Sequence, residues 1–105
     1  MVCVRNGRAL HIARSHDPST QSGWDLTGEG VGFFKLSRDD SPALVLILDE
    51  MVAAGICDVE YEDGLARFMA NHTCGYETVG DLPWTEIDFP EDVEKARVEI
   101  LPQLR

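Results

Sequence analysis

Cysteine is sparse in this sequence and gives no pattern. Cys3, Cys57 and Cys74 are odd in number, widely spaced and without a C-x-x-C pair, so neither a disulfide framework nor a zinc site is indicated, and a reducing compartment fits. Basic residues are scarce as well. Only 9 Lys and Arg stand against 19 Asp and Glu, a formal net charge of −10, which argues against nucleic acid as a partner because phosphate contacts need a basic face. Long apolar runs are missing: the longest, Ala43–Leu48, is far short of the roughly 20 residues that cross a bilayer. The N-terminus lacks the basic and then apolar pattern of a secretory signal, and the expectation is a soluble, cytoplasmic protein with no membrane partner. No internal repeat or low-complexity segment occurs, and no Ser-His-Asp or Cys-His order can be argued. At 105 residues the chain is one small domain with a modest core. Its apolar share of 44% and charged share of 27% are ordinary globular values and argue against disorder.

Local signals then define elements. Val2–Arg5 and Ala9–Ala13 read as strands around Asn6-Gly7, the dipeptide best suited to a tight hairpin because both positions tolerate positive φ. Residues 16–30 are polar, carry Pro18 and three glycines, and read as a loop anchored by Trp24. Val31–Leu36 reads as a strand covered on both faces. Ser41-Pro42 starts a helix through a capping hydroxyl, and Gly55 ends it. The apolar stretch between them predicts a largely buried helix. A second helix over Glu62–Asn71 places Leu65, Phe68 and Met69 on one face. Tyr76–Val79 and Trp84–Ile87 read as short strands, the latter buried, and Pro90 to about Leu101 as the closing helix.

The most informative stretch is W-T-E-I-D-F-P-E-D at 84–92, where an expected strand runs into an expected helix and leaves Glu86 and Asp88 at a loop mouth. Mg²⁺ is commonly held by one or two carboxylates plus substrate phosphates, so a single placed aspartate can be a large part of a protein's contribution. The same pattern also suits an ordinary helix N-terminus, with Asp88 as cap, Pro90 in the first turn, and Glu91 and Asp92 complementing the dipole. His72 and Cys74 are two borderline metal ligands, which do not make a site; a loop histidine and a packed cysteine are the expectation, and His11 is read as structural.

The tail W-T-E-I-D-F-P-E-D-V-E-K-A-R, with Y-E-D-G-L at 61–65, G-E-G-V-G-F-F-K-L-S at 28–37 and V-R-N-G-R at 4–8, resembles the C-terminal half of the nucleotidyltransferases. The nearest members are the choline-phosphate and phosphonate cytidylyltransferases, including domains fused to phosphoenolpyruvate mutases. The resemblance implies an α/β fold, the C-terminal portion of a Rossmann-like enzyme with a mixed sheet, about three helices and a β-hairpin, in which residues 1–105 form one partial domain.

It also implies a site. Asp88 would ligate the catalytic Mg²⁺ that bridges nucleotide and attacking phosphate, because a divalent cation neutralises two meeting anions and aligns the attack. A second metal-binding aspartate belongs to the N-terminal half and has no counterpart here. Glu62 would lie at the acceptor end of the cleft as the negative neighbour of a cationic amine; a first-turn glutamate serving the helix dipole is the competing reading. Tyr61 and Trp84 would offer ring faces to an ammonium group, with buried packing as the alternative. Glu29 and Gly32 would border the acceptor, and Arg14 falls near a phosphate-contacting lysine of relatives, with altered geometry. The glycine-rich triphosphate loop is missing, so the chain would be the acceptor and metal half. It would transfer a nucleotidyl group, CMP from CTP, to a phosphate or phosphonate acceptor only with an N-terminal half in the same or another chain, and self-association through open edges is expected. The alternatives are a non-catalytic acidic binding or interaction module, and a metal-dependent hydrolase using Glu86 and Asp88.

Overall fold

Two peptides of positive φ organise the N-terminal end. Asn6 (φ 52°) and Gly7 (φ 73°) make the turn that joins β1 (Val2–Arg5) to β2 (Arg8–Ile12), as the Asn-Gly signal requires. The computed structural model describes residues 1–14 and 16–104. β1 pairs antiparallel with β2, with a register irregularity between Cys3 and Val4, and on its other side with β3 (Leu26–Gly28). The sheet order is β2-β1-β3. Among the described residues the sheet is therefore small and antiparallel rather than mixed, and β3 lies inside the stretch expected to be a loop. Leu-Thr-Gly is too short to show a period, so only its partner reveals it.

α1 (Ser41–Ala53) and α2 (Tyr61–Asn71) follow. The lead into α1 differs from expectation: the Ser41 hydroxyl donates back to the Ser37 carbonyl at 2.8 Å, and the Asp40 amide is taken by the Ser37 hydroxyl at 3.0 Å. Gly55 ends α1 at φ 76°. At α2 the Asp63 carboxylate accepts the Glu60 amide at 3.2 Å, which satisfies one of the orphan donors at a helix start. A last helix begins as α3 (Pro90–Lys95), widens to π geometry over Ala96–Ile100 and tightens to 3₁₀ over Leu101–Leu104.

The core lies between the inner face of the hairpin and α2: Ala9, Ile12, Leu65, Phe68, Met69 and Cys74 cluster there. The expected α2 face is thus the buried one. On the outer face of the sheet, Trp24 donates to the Ser19 carbonyl at 2.8 Å, stacks parallel to His11 and lies under the Arg5 guanidinium. His72 caps α2 with its ring stacked 4.1 Å from Phe68, and Cys74 is buried in a bridge to Ala9.

Several expectations fail together. Val31–Leu36, Tyr76–Val79 and Trp84–Ile87 form no strands, Phe33 is 93% exposed, and α1 buries only Met51 fully while Val45, Leu46 and Val52 stand in solvent. The common cause is the lack of a neighbour, since a strand exists only against a partner and an apolar helix is buried only if something covers it. The whole molecule records this. Its accessible surface is 7906 Å², against about 5,900 Å² for a compact monomer of this mass, and its radius of gyration is 16.1 Å against about 13 Å.

Candidate functional site

A cleft of about 390 Å³ opens between the inner face of the sheet, the start of α2 and the segment after Cys74. Its floor is apolar, with Val4, Ala9, Leu65 and Met69, because these are the inward positions of β1, β2 and α2. Its rim carries Glu29, Gly32, Tyr61 and Trp84, four residues named from the sequence and drawn from three separate segments. Glu77 and Tyr76 also line it; they were missed because their segment read only as a strand.

Tyr61 and Trp84 are not packing residues. They are 58% and 38% exposed respectively, so their rings remain available to a ligand. Tyr61 sits among carboxylates: partial desolvation, then the charge of Glu62 and a hydrogen bond to it, and more weakly Glu60 and Glu86, push its hydroxyl above its ordinary value. Glu62 follows it in the first turn of α2, half-buried behind Tyr61, with Oε2 shut away from solvent; it lines neither this cleft nor the depression beyond Trp84.

Trp84 is also a wall of a second, shallower depression, shared with Glu86, Asp88, Phe89, Asp92 and Lys95. Here the helix start bears on the capping reading of Asp88. Phe89 occupies the cap position, and the Asp92 carboxylate accepts the amides of Asp88 at 3.1 Å and Phe89 at 2.9 Å. These bonds hold the Asp92 carboxyl below the usual carboxylate range. Asp92 thus supplies the carboxylate at the helix start by accepting the two amides ahead of it, while Asp88 is exposed, with no hydrogen bond to its carboxylate among the described residues. Among the described residues no three His, Cys, Asp or Glu side chains converge as a metal-ligating group. Asp88 and Glu86 line the same depression, and these two carboxylates do not make an all-protein cage for a cation.

Arg14 stands apart from both hollows. Its guanidinium pairs with Glu60 at 2.7 Å, both side chains more than half exposed, so it braces the hairpin exit against the start of α2, beside Tyr61. Only one other ion pair, Arg97 to Glu94, occurs among the described residues, which leaves most of the 19 acids without a cationic partner. No helix among the described residues is long and apolar enough to cross a membrane. No protein-family model, curated protein or solved structure matches the chain.

Proposed function

We propose that the chain is the acceptor- and metal-binding half of a nucleotidyltransferase of Rossmann-like fold, which passes CMP from CTP to a phosphate or phosphonate bearing a cationic amine. The observation that supports this most is the continuity of the two hollows through Trp84: aromatic faces and glutamates on one side, the free Asp88 carboxylate on the other. An ammonium group is attracted by the faces of Tyr61 and Trp84 and by the carboxylates of Glu29 and Glu77 in the same cleft, with Glu62 adding its charge from behind Tyr61. The acceptor's anionic end then points past Trp84 to Asp88. Mg²⁺ held by Asp88, with a second carboxylate from the N-terminal half, would supply charge neutralisation between two phosphates, and Glu86 would border the acceptor beside it. Glu29 closes the rim opposite, and Gly32 leaves open space beside it. The triphosphate requires a phosphate loop from an N-terminal half, in the same or another chain, so the isolated chain binds acceptor without catalysing transfer.

Two measurements test this. Adding phosphocholine to the chain should shift the Trp84 indole resonance and leave that of Trp24 in place; no shift at millimolar ligand removes the acceptor assignment. Incubation with CTP and Mg²⁺ should release no pyrophosphate until a matching N-terminal half is joined, and robust release by the chain alone would overturn the half-enzyme reading.

A further inference from the structure

α1 holds a feature that the proposed site does not use. Only Ser41, Asp49 and Glu50 are polar in its 13 residues, yet its outward face is open: Val45, Leu46 and Val52 are 55, 59 and 63% exposed. At 100° per residue these positions form one stripe with Ala53, and Asp49 falls inside it, between Val45 and Val52 on one side and Leu46 and Ala53 on the other. An apolar helix face of this kind is covered in a finished assembly.

Charge selects the occupant. Asp49 lies midway along the stripe, so a two-fold packing of α1 centred on the stripe brings Asp49 against its own image. Residues 38–53 carry four acids and one base, and a second copy adds the same surplus. An anionic bilayer or nucleic acid is repelled by the same charges. We infer that the outer face of α1 is the docking surface for an amphipathic helix of another polypeptide, apolar along its contact stripe and carrying a Lys or Arg opposite Asp49. Apolar contact supplies the area, and the buried aspartate sets register and partner, since its desolvation is tolerated only when a cation meets it.

The test uses the intact chain and two labelled 18-residue helical peptides with a leucine stripe, one with lysine at the middle of the stripe and one with glutamate there. Fluorescence anisotropy should show the lysine peptide binding at least about tenfold more tightly. Asp49→Lys should invert that preference, and Leu46→Lys, an exposed change that leaves the circular dichroism spectrum intact, should abolish binding of both peptides. Equal binding of the two peptides would reduce the face to non-specific adhesion and overturn the proposal. So would absence of binding at millimolar peptide, or a chain that sediments as a dimer dispersed by Leu46→Lys, because a second copy would then be the occupant. The outcome leaves the nucleotidyltransferase reading untouched, because no residue of α1 lines the acceptor cleft or the depression at Asp88.

Discussion

The hairpin with α2 and the stretch after Cys74 are both rich in apolar residues, and they end in opposite states. The first buries Val4, Ala9, Ile12, Leu65, Phe68 and Met69. The second contains Trp84, Ile87, Phe89, Val93, Val98 and Leu104, and among the described residues from 75 onward none is buried. Composition does not separate them. The difference is that β1, β2 and α2 face one another, with Phe68 reached by Phe34 edge-on and by His72 face-on, while the tail has no surface to turn toward. Apolar content creates a demand for burial, and only a facing element meets it.

The contrast predicts unequal costs for the same substitution. Phe68→Ala should remove about 3–5 kcal/mol, because it deletes a ring packed on all sides and leaves a cavity; in a molecule this open that is enough to unfold it. Phe89→Ala, at a ring that is 64% exposed, should change stability by no more than approximately 0.5 kcal/mol. Urea denaturation of both variants measures this. Equal costs would mean that the tail is packed in solution and that the contrast between the two regions is false.

A second contrast sits within the tail, between two carboxylates four residues apart. In an enzyme completed by an N-terminal half, Asp88→Asn should lower transfer by roughly a hundredfold or more, corresponding to ~3 kcal/mol, with partial rescue by added Mg²⁺ and unchanged stability. Asp92→Asn should act the other way round, loosening the helix start with little direct effect on chemistry. Glu62→Gln should weaken an amine-bearing acceptor and spare nucleotide binding. Rate assays beside thermal melts distinguish these cases; full activity in Asp88→Asn would end its assignment as a metal ligand.

What the sequence made legible follows the same division. The Asn6-Gly7 hairpin, the Leu65–Phe68–Met69 face and the Gly55 stop were readable because local chemistry and a short-range partner agree. Val31–Leu36 and Trp84–Ile87 have strand composition but no strand beside them, and pairing is not a local property. Leu26–Gly28 is the reverse case, with no signal of its own and a strand because β1 lies alongside. At the site, the resemblance pointed to Glu29, and ring chemistry to Tyr61 and Trp84, and all three line one cleft. The exchange of capping from Asp88 to Asp92 depended on backbone direction at Phe89, which no spacing rule encodes.

Where α1 meets α2 the packing can be sharpened by one methyl group. A Cβ added at Gly64 would lie 2.6 Å from Cδ2 of Leu48, a clash, but with the end of a side chain that is 40% exposed and free to swing outward. Against it stands the gain of about 1 kcal/mol for replacing glycine by alanine inside a helix. Gly64→Ala should therefore change stability by less than approximately 1 kcal/mol. In a Leu48→Ala background the clash is gone and the helix gain should appear in full. A double-mutant cycle in urea reads the coupling directly, and a coupling of zero would show that the two helices do not touch at this point.

The smallest effect concerns the start of α3 and its dependence on pH. The Asp92 carboxyl is held below its ordinary value by the amides of Phe89 and Asp88, with a lesser contribution from Lys95. A carboxylate with a lowered folded value stabilises the fold at any pH above its unfolded value. That contribution is lost as pH falls through the lowered one, because protonation removes the charge that the two amides address. Between neutral pH and pH 5 the helix start should be unaffected. Below about pH 4, where ordinary aspartates take up protons, it should begin to fray, while the hairpin amides stay protected. The amide proton shifts of Asp88 and Phe89 should report the transition with a midpoint below the ordinary aspartate value, and Asp92→Ala should abolish it. If both amides instead titrate at the ordinary value, or persist in titrating in Asp92→Ala, the bonds at 3.1 and 2.9 Å do not hold the helix start and capping returns to Asp88.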